Sequence, residues 1–314
     1  MPTTFAFASL VAVALLVAAP AFAGNDELNR EMRLMATIGD TEAVSDLLDQ
    51  GADVNASSTF GKTALMMAVE EGNLKTVAFL LSRGADVNAR TAAGCTALTF
   101  AAENGHYGIT ALLIERGAHV HDRTRAGWDA LMISARYGLT EIVEQLLYRG
   151  ADPKAADKDG RSALMQAAAK GHAEVVALLA RQGADVDGRD NEGSTALIIA
   201  ADRGHLDVVK TLLALNANIN ARDEVGATAL IWAVSHGFDE IATTLLQQGA
   251  DPNLQDNDGR TALMEAVSDH HNEMLGPLLE HQANPALKNT QGHTAADLAR
   301  ATNNTEAIDI MGQP

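Results

Sequence analysis

Two pairs of histidines are the residues of this sequence best suited to metal chemistry. His119 and His121 form a His-x-His pair, whose imidazoles could lie on one side of an extended loop and share a metal ion. His270 and His271 stand close to Glu273, which could add a carboxylate. The simpler interpretation is that these positions happen to carry histidine. We therefore predict no metal site and no cofactor.

Covalent chemistry has one candidate, Cys95, which is the only cysteine. It follows Gly94, where an exposed thiol could act as a redox group. The alternative is a small residue tolerated at a variable position. The sequence contains no HExxH, P-loop or GxSxG motif, and a single cysteine cannot form a CxxC motif. We expect no catalytic residues and predict that the protein is not an enzyme.

The net charge of −18 limits the classes of partner. Nucleic acid is a polyanion, and its binding requires an excess of Lys and Arg on the contact surface. We therefore expect no nucleic-acid partner, and the acidity would instead keep an exported protein in solution. One segment differs from the rest, because residues 123–170 carry eight Lys or Arg and six Asp or Glu. This stretch is a locally basic part of an acidic chain.

The elements that position these residues follow from an internal repeat of 33 residues, which three series of glycines reveal. The first series comprises Gly61, Gly94, Gly127, Gly160, Gly193, Gly226, Gly259 and Gly292. The middle series comprises Gly39, Gly72, Gly105, Gly138, Gly171, Gly204 and Gly237. The third comprises Gly51, Gly84, Gly117, Gly150, Gly183 and Gly249, with Asn216 and Gln282 at two equivalent positions.

Each repeat has the sequence features of two short helices and a loop. Thr, Ser or Asp before Ala-Leu, as at Thr63, is a favourable N-cap for the first helix, and Gly72 ends that helix. A second helix over 74–83 places Leu74, Val77 and a Leu-Leu pair on one face. Residues 84–94 then cross to the next repeat as an extended, hairpin-like loop.

The repeat resembles the ankyrin repeat, whose signature is Thr-Pro-Leu-His-x-Ala over 33 residues. Here Ala replaces the Pro, and Met, Thr or Ile replaces the His. The resemblance implies an all-α solenoid of about nine helix pairs. The predicted units are residues 26–58, 59–91, 92–124, 125–157, 158–190, 191–223, 224–256 and 257–289, with a C-terminal cap at 290–314. Histidines that recur near the start of the second helix, such as His172 and His205, are predicted to be structural.

The eighth unit departs from the pattern. His270 stands in place of the middle glycine, Gln282 in place of the last, and Met274 and Gly276 interrupt the second helix. We predict that this end of the array is locally less stable than its centre.

The N-terminus resembles a secretory signal peptide. Residues 1–23 contain no charged side chain, and residues 5–19 form an apolar run that is too short for a comfortable membrane span. Ala21 and Ala23 are the small residues that signal peptidase recognises, so we predict cleavage after Ala23 and an array over residues 24–314 without a membrane span. An uncleaved membrane anchor is the alternative. The prediction places the protein in the periplasm or outside the cell.

Ankyrin-repeat proteins usually bind partners along a concave face. By resemblance, this face is formed by the residues that flank the first glycine of each unit and the two that precede the middle glycine. Trp, Tyr and Arg, which dominate binding energy at interface centres, occur here in the fourth unit. The predicted partner-binding residues are Phe60, Lys62, Arg125, Trp128, Arg136, Tyr137, Lys158, Arg161, Lys170 and Trp232. They favour a partner with an acidic, partly apolar patch, and the alternative is a set of ordinary surface residues.

The resemblance implies a monomeric, non-catalytic module that binds another protein. The sequence resembles the periplasmic ankyrin-repeat proteins of bacteria. This similarity implies a protective role, either as a scaffold for an oxidative-stress enzyme such as catalase or as a shield against an exported hydrolase. A secreted effector that binds a host protein is the alternative, and it would occur in the medium rather than in the periplasm.

Overall fold

A computed structural model describes residues 25–312, which form helices, tight turns and loops without a β-strand. The predicted signal peptide, residues 1–23, lies outside the described residues. The chain divides into two compact units, an N-terminal unit that ends at Ala85 and a C-terminal unit that begins at Asp86. None of the helices within residues 25–312 is long and apolar enough to cross a membrane.

The helices of both units occur in pairs, a first helix followed by a second. The N-terminal unit contains α1 (Asn25–Ile38), α2 (Thr41–Asp49), α3 (Ala64–Glu70) and α4 (Leu74–Ser82). The C-terminal unit contains α5 (Ala97–Glu103), α6 (Tyr107–Glu115), α7 (Ala130–Arg136), α8 (Thr140–Tyr148), α9 (Ala163–Ala168), α10 (Ala173–Arg181), α11 (Ala196–Asp202), α12 (Leu206–Ala214), α13 (Ala229–Ser235), α14 (Asp239–Gln247), α15 (Ala262–Ser268), α16 (Leu275–Glu280), α17 (Ala295–Ala301) and α18 (Thr305–Met311). These nine pairs within the described residues confirm the predicted all-α solenoid of helix pairs.

The first helices from α3 to α15 each begin directly after the residue that the sequence predicted as the N-cap. The hydroxyl of Thr63 accepts a hydrogen bond from the amide of Met66, and Ser162 and Thr195 act in the same way on their own helices. Asp129 takes this role in α7, where its buried carboxylate accepts from the amide of Met132. Burial raises the pKa of Asp129, although this hydrogen bond and the charge of Arg123 both act to lower it.

The core of the C-terminal unit lies between two parallel rows of helices. The first helices, from α5 to α17, pack on one another in sequence, and the second helices, from α6 to α18, form the neighbouring row. Small residues such as Ala97, Ala130 and Ala163 are fully buried in the first row, so adjacent helices can approach closely. Leucines of the second row, including Leu146 and Leu179, fill the space between the rows. Each repeat therefore buries its apolar residues mainly against its neighbours.

The loops between pairs have the predicted hairpin-like form, with antiparallel bridges such as that between Ala156 and Ser162. One backbone hydrogen bond closes each turn, for example from the amide of Thr124 to the carbonyl of Trp128 at 2.8 Å. A second backbone hydrogen bond joins each turn to the preceding one, as from the amide of Arg125 to the carbonyl of Ala93 at 2.8 Å. In the C-terminal unit, this bond recurs at Lys158, Asn191, Glu224, Asn257 and Thr290. The turns thus form a continuous row beside the first helices.

Several middle glycines, including Gly138 and Gly171, are required by a close approach between neighbouring repeats. Gly138 has a φ of +70°, and a Cβ at this position would lie 2.5 Å from Nδ1 of His172 in the next repeat. His172 is held there because its Nε2 donates to the carbonyl oxygen of Arg136 at 3.0 Å. His205 donates in the same way to the carbonyl oxygen of Ala169 at 3.1 Å. The prediction that these recurring histidines are structural agrees with this geometry.

The third series of glycines meets no such constraint. A Cβ at Gly150 or Gly183 would contact no atom within 4 Å, so only the left-handed backbone favours glycine there. This explains why Asn216 and Gln282 can occupy equivalent positions with φ values of 61° and 69°.

The C-terminal repeats carry the irregularities that the sequence predicted. A 3₁₀ turn, Asn272–Met274, replaces the start of the second helix, and α16 keeps only six residues. His270, at the middle glycine position, adopts a φ of 62°, and Asn303 in the last repeat adopts 55°. Three of the four residues other than glycine with positive φ among the described residues therefore lie in the last two repeats.

We expect Gly138→Ala to lower the free energy of unfolding more than Gly150→Ala does. Both variants place alanine in the left-handed region, at a cost of about 1–2 kcal/mol, but only alanine at position 138 also meets an imidazole. Urea unfolding followed by circular dichroism measures both losses. In a His172→Ala background, the loss of unfolding free energy caused by Gly138→Ala should fall to the loss caused by Gly150→Ala. Equal losses in the wild-type background would contradict the close approach.

We expect Gln282→Gly to stabilise the C-terminal repeats by about 1 kcal/mol, because it removes the cost of a left-handed residue with a Cβ. Asn216→Gly is the control and should gain less, since Asn tolerates this conformation better. In the wild-type chain, hydrogen exchange should be faster in α15–α18 than in α9–α12. Exchange that is uniform along the C-terminal unit would be evidence against local weakness.

Candidate functional site

A mixed aromatic and basic cleft of the C-terminal unit lies between two successive turns and the first helices α5 and α7. We call it the Trp128 cleft, and its volume is about 620 Å³. Its walls are formed by Ala92, Ala93, Cys95, Glu103, Thr124, Arg125, Ala126, Trp128, Ile133, Arg136 and Tyr137. The structure therefore brings together four of the residues predicted from the sequence, namely Arg125, Trp128, Arg136 and Tyr137.

A cation–π contact organises this cleft. The guanidinium of Arg136 lies over the ring of Trp128, with 5.4 Å between the guanidinium carbon and the ring centroid. Arg136 ends α7, and its Nη1 lies 3.5 Å from Oε1 of Gln166 on α9. Gln166 is buried and donates through Nε2 to Oδ2 of Asp157 at 3.2 Å. The Arg136 side chain is thus positioned by both the indole and the next repeat.

The Trp128 cleft presents both apolar and basic groups to solvent. Tyr137 is 49 % exposed, Arg125 is exposed, and Trp128 is partly buried. The residues that line the cleft include two arginines, Arg125 and Arg136, and one carboxylate, Glu103. The cleft is therefore net positive, in contrast to the acidic chain as a whole.

A second cleft lies further along the same row of turns and has the opposite charge. We call it the Trp232 cleft, and its volume is about 320 Å³. It is lined by Arg161, Ala169, Glu192, Ser194, Ile198, Ile199, Asp202, Arg203, Asp223, Glu224, Val225 and Trp232. Nε1 of Trp232 donates to Oδ2 of Asp223 at 2.7 Å, which fixes the indole against the turn. The ring of Trp232 also stacks on His236, with the centroids 5.7 Å apart.

Arg161 is neutralised by carboxylates of the next repeat. Its Nε lies 3.1 Å from Oδ2 of Asp190, which is almost completely buried, and its Nη2 lies 3.3 Å from Oε2 of Glu192. Burial lowers the pKa of Arg161, but the hydrogen bond and the charge of Asp190 outweigh burial and raise the pKa overall. Arg161 therefore contributes little free positive charge to the surface.

The remaining predicted residues lie apart from the Trp128 cleft. Lys158 and Lys170 are exposed, but they do not line either cleft. Trp232 and Arg161 belong to the Trp232 cleft. Phe60 and Lys62 belong to the N-terminal unit, in which Phe60 is 76 % exposed and Lys62 forms an ion pair with Glu70 at 2.6 Å.

The candidates for metal and redox chemistry show no built site. Within residues 25–312, no group of three or more His, Cys, Asp or Glu side chains could hold a metal ion. Nδ1 of His119 lies 3.8 Å from Oδ2 of Asp122, and Nδ1 of His271 lies 3.9 Å from Oε1 of Glu273. Cys95 is partly buried in the wall of the Trp128 cleft rather than fully exposed at a turn.

Sequence reasoning missed the helix residues that form the floors of the clefts. Ile133 lies in the Trp128 cleft, and Ile198 and Ile199 lie in the Trp232 cleft. These residues look like ordinary core positions because they sit on an apolar helix. They occupy the fifth and sixth positions after the turn glycine, however, and this spacing could have identified them.

Comparison with known proteins places this architecture in a family. A family model described as ankyrin repeats in three copies matches residues 32–124, 131–223, 188–256 and 230–312. No curated protein matches the chain closely enough to be a relative. The family matches cover most of the sequence and coincide with the stacked helix pairs. The chain therefore belongs to the ankyrin-repeat family, whose members are generally non-catalytic modules for protein–protein interaction.

Proposed function

We propose that this protein is a non-catalytic binding module that holds a partner protein on the face formed by its turns and first helices. The observation that carries the proposal is the Trp128 cleft, where an arginine stacked on tryptophan and a half-exposed tyrosine surround a space of about 620 Å³. Aromatic and arginine side chains in such a position supply most of the binding energy in protein interfaces.

The chemistry of the cleft defines the complementary patch on the partner. A carboxylate could pair with Arg125 or Arg136, and an apolar side chain could pack on Trp128 and Ile133. Because Arg136 is already oriented by Trp128 and Gln166, it loses little side-chain entropy when it binds. The preferred partner is therefore a protein with an acidic, partly apolar patch.

The proposed place of action is the periplasm. The uncharged residues 1–23, with Ala21 and Ala23 before the predicted cleavage position, support export. The proposed role is to scaffold or protect a stress-defence enzyme or an exported hydrolase. The alternative, a secreted effector that binds a host protein, uses the same cleft and differs in where the mature protein is found.

We expect the double variant Trp128→Ala/Arg136→Ala to weaken partner binding by at least ~30-fold, because it removes both members of the stacked pair. The full chain would be immobilised to capture its partner from periplasmic extract, and calorimetry with the purified partner would measure the dissociation constant. Tyr148→Ala/Arg149→Ala is a matched control, since Tyr148 is 87 % exposed on α8 and lines neither cleft.

The control variant should bind as the wild type does, and both variants should keep the wild-type circular dichroism spectrum. If the Trp128→Ala/Arg136→Ala variant folds and binds with unchanged affinity, the Trp128 cleft is not the partner site.

We expect the mature protein to begin at Gly24 and to occur in the periplasmic fraction, because signal peptidase would cleave after Ala23. Cell fractionation followed by mass spectrometry of the intact protein tests this expectation. Recovery mainly from the medium would favour the secreted effector. A full-length protein in the membrane fraction would instead indicate an uncleaved anchor.

A further inference from the structure

The two clefts of the C-terminal unit lie on one continuous surface. Both open between the row of turns and the row of first helices, and both have a tryptophan and an isoleucine in their walls. Backbone hydrogen bonds join the intervening turns through the amides of Lys158, Asn191 and Glu224. A partner bound in one cleft can therefore extend to the other along an unbroken row of turns.

The Trp232 cleft forms the acidic end of this surface. Its lining includes four carboxylates, from Glu192, Asp202, Asp223 and Glu224, and two arginines. The arginines are already engaged, because Arg161 pairs with Asp190 and Glu192, and Arg203 lies 3.2 Å from Asp202. Glu192 keeps a side chain that is 75 % exposed, and Glu224 is also exposed. This end of the surface can therefore accept a cation.

The Trp128 cleft forms the basic end. Arg125 and Arg136 outnumber Glu103 in its lining, and the exposed Lys158 and Lys170 extend the positive charge along the next repeat. The charge of the surface changes from positive to negative near Arg161, whose own charge is neutralised by Asp190 and Glu192. The surface therefore runs from positive at α7 to negative at α13.

The spacing of the repeats sets the distance between the two ends. Trp128 precedes α7 and Trp232 lies in α13, so three steps between adjacent first helices separate them. At about 8–10 Å for each step, the ends are roughly 24–30 Å apart. An extended peptide advances about 3.3 Å per residue and needs about 7–9 residues to cover this distance.

We infer that the partner carries two opposite charges, an acidic apolar group for the Trp128 cleft and a basic group, about 7–9 extended residues away, for the Trp232 cleft. This inference rests on the proposed function and adds the orientation of the partner. The partner can bind in only one orientation along the surface. In the reversed orientation its basic group would meet the basic Trp128 cleft and its acidic group would meet the acidic Trp232 cleft.

The inference can be tested without knowledge of the natural partner by selection from a phage library of random 16-residue peptides. Binders to the immobilised full chain would be selected and then depleted on the Trp128→Ala/Arg136→Ala variant. We expect the remaining peptides to carry acidic and apolar residues at one end and Arg or Lys about 7–9 residues away. Peptides that contain only the acidic group would overturn the inference.

Reversal of charge in the acidic cleft provides the second measurement. On Glu192→Lys/Glu224→Lys, we expect the selected peptides to bind at least ten-fold more weakly and a new selection to lose the basic group. Glu141→Lys/Glu144→Lys is the matched control, because it changes the same charge at exposed positions of α8. An equal loss on both variants would mean that net charge, not the cleft, causes the effect.

The two proposals fail in different ways. If no selected peptide depends on Trp128 and Arg136, the proposed partner site is wrong. If the peptides depend on Trp128 and Arg136 but bind equally well to Glu192→Lys/Glu224→Lys, the proposed site stands and the two-charge partner is wrong. Circular dichroism of each variant establishes that it is folded.

Discussion

Hydrogen bonds between neighbouring repeats set the geometry on which the rest of the C-terminal unit depends. At the row of turns, a backbone amide donates to a carbonyl of the preceding turn, as Arg125 does to Ala93. At the junction of the helix rows, an imidazole such as that of His172 donates to the last carbonyl of the preceding first helix. The first bond fixes the turns and the second fixes the helices, so neighbouring repeats are held at both edges. A short helix of six or seven residues has little stability alone, and these contacts hold it in place.

The same contacts explain how the two clefts arise. The turns are held beside the first helices, and side chains of the turns line each cleft together with isoleucines of those helices. Trp128 directly follows the turn glycine Gly127, whereas Trp232 lies within α13, and a neighbouring polar group orients each indole. The different charges of the clefts come from exposed and partly buried positions of each repeat, and the backbone scaffold beneath them is the same.

The sequence was sufficient to predict the fold because its signals are local and repeated. An N-cap such as Thr63 and the 33-residue spacing of the glycines each depend on a few neighbouring residues. The convergence of Arg125, Trp128, Arg136 and Tyr137 also followed from the repeat phase. The pairing of Arg161 with the buried Asp190 could not be predicted, because it joins residues of two repeats and depends on side-chain conformation. For the same reason, the sequence placed Arg161 beside Trp128, whereas the structure places Arg161 in the Trp232 cleft.

The backbone bond between turns has a consequence for how new specificity can evolve. Its donors are Arg125, Lys158, Asn191, Glu224, Asn257 and Thr290, six residues of five side-chain types. The bond uses only main-chain atoms and therefore does not depend on the side chain, although Asn191, Asn257 and Thr290 each add a side-chain hydrogen bond to a carbonyl of the preceding turn. Mutation at these sites can therefore alter what is recognised while the architecture is preserved, much as antibody loops diversify on a constant framework. A single ancestral array could in this way supply many different receptors.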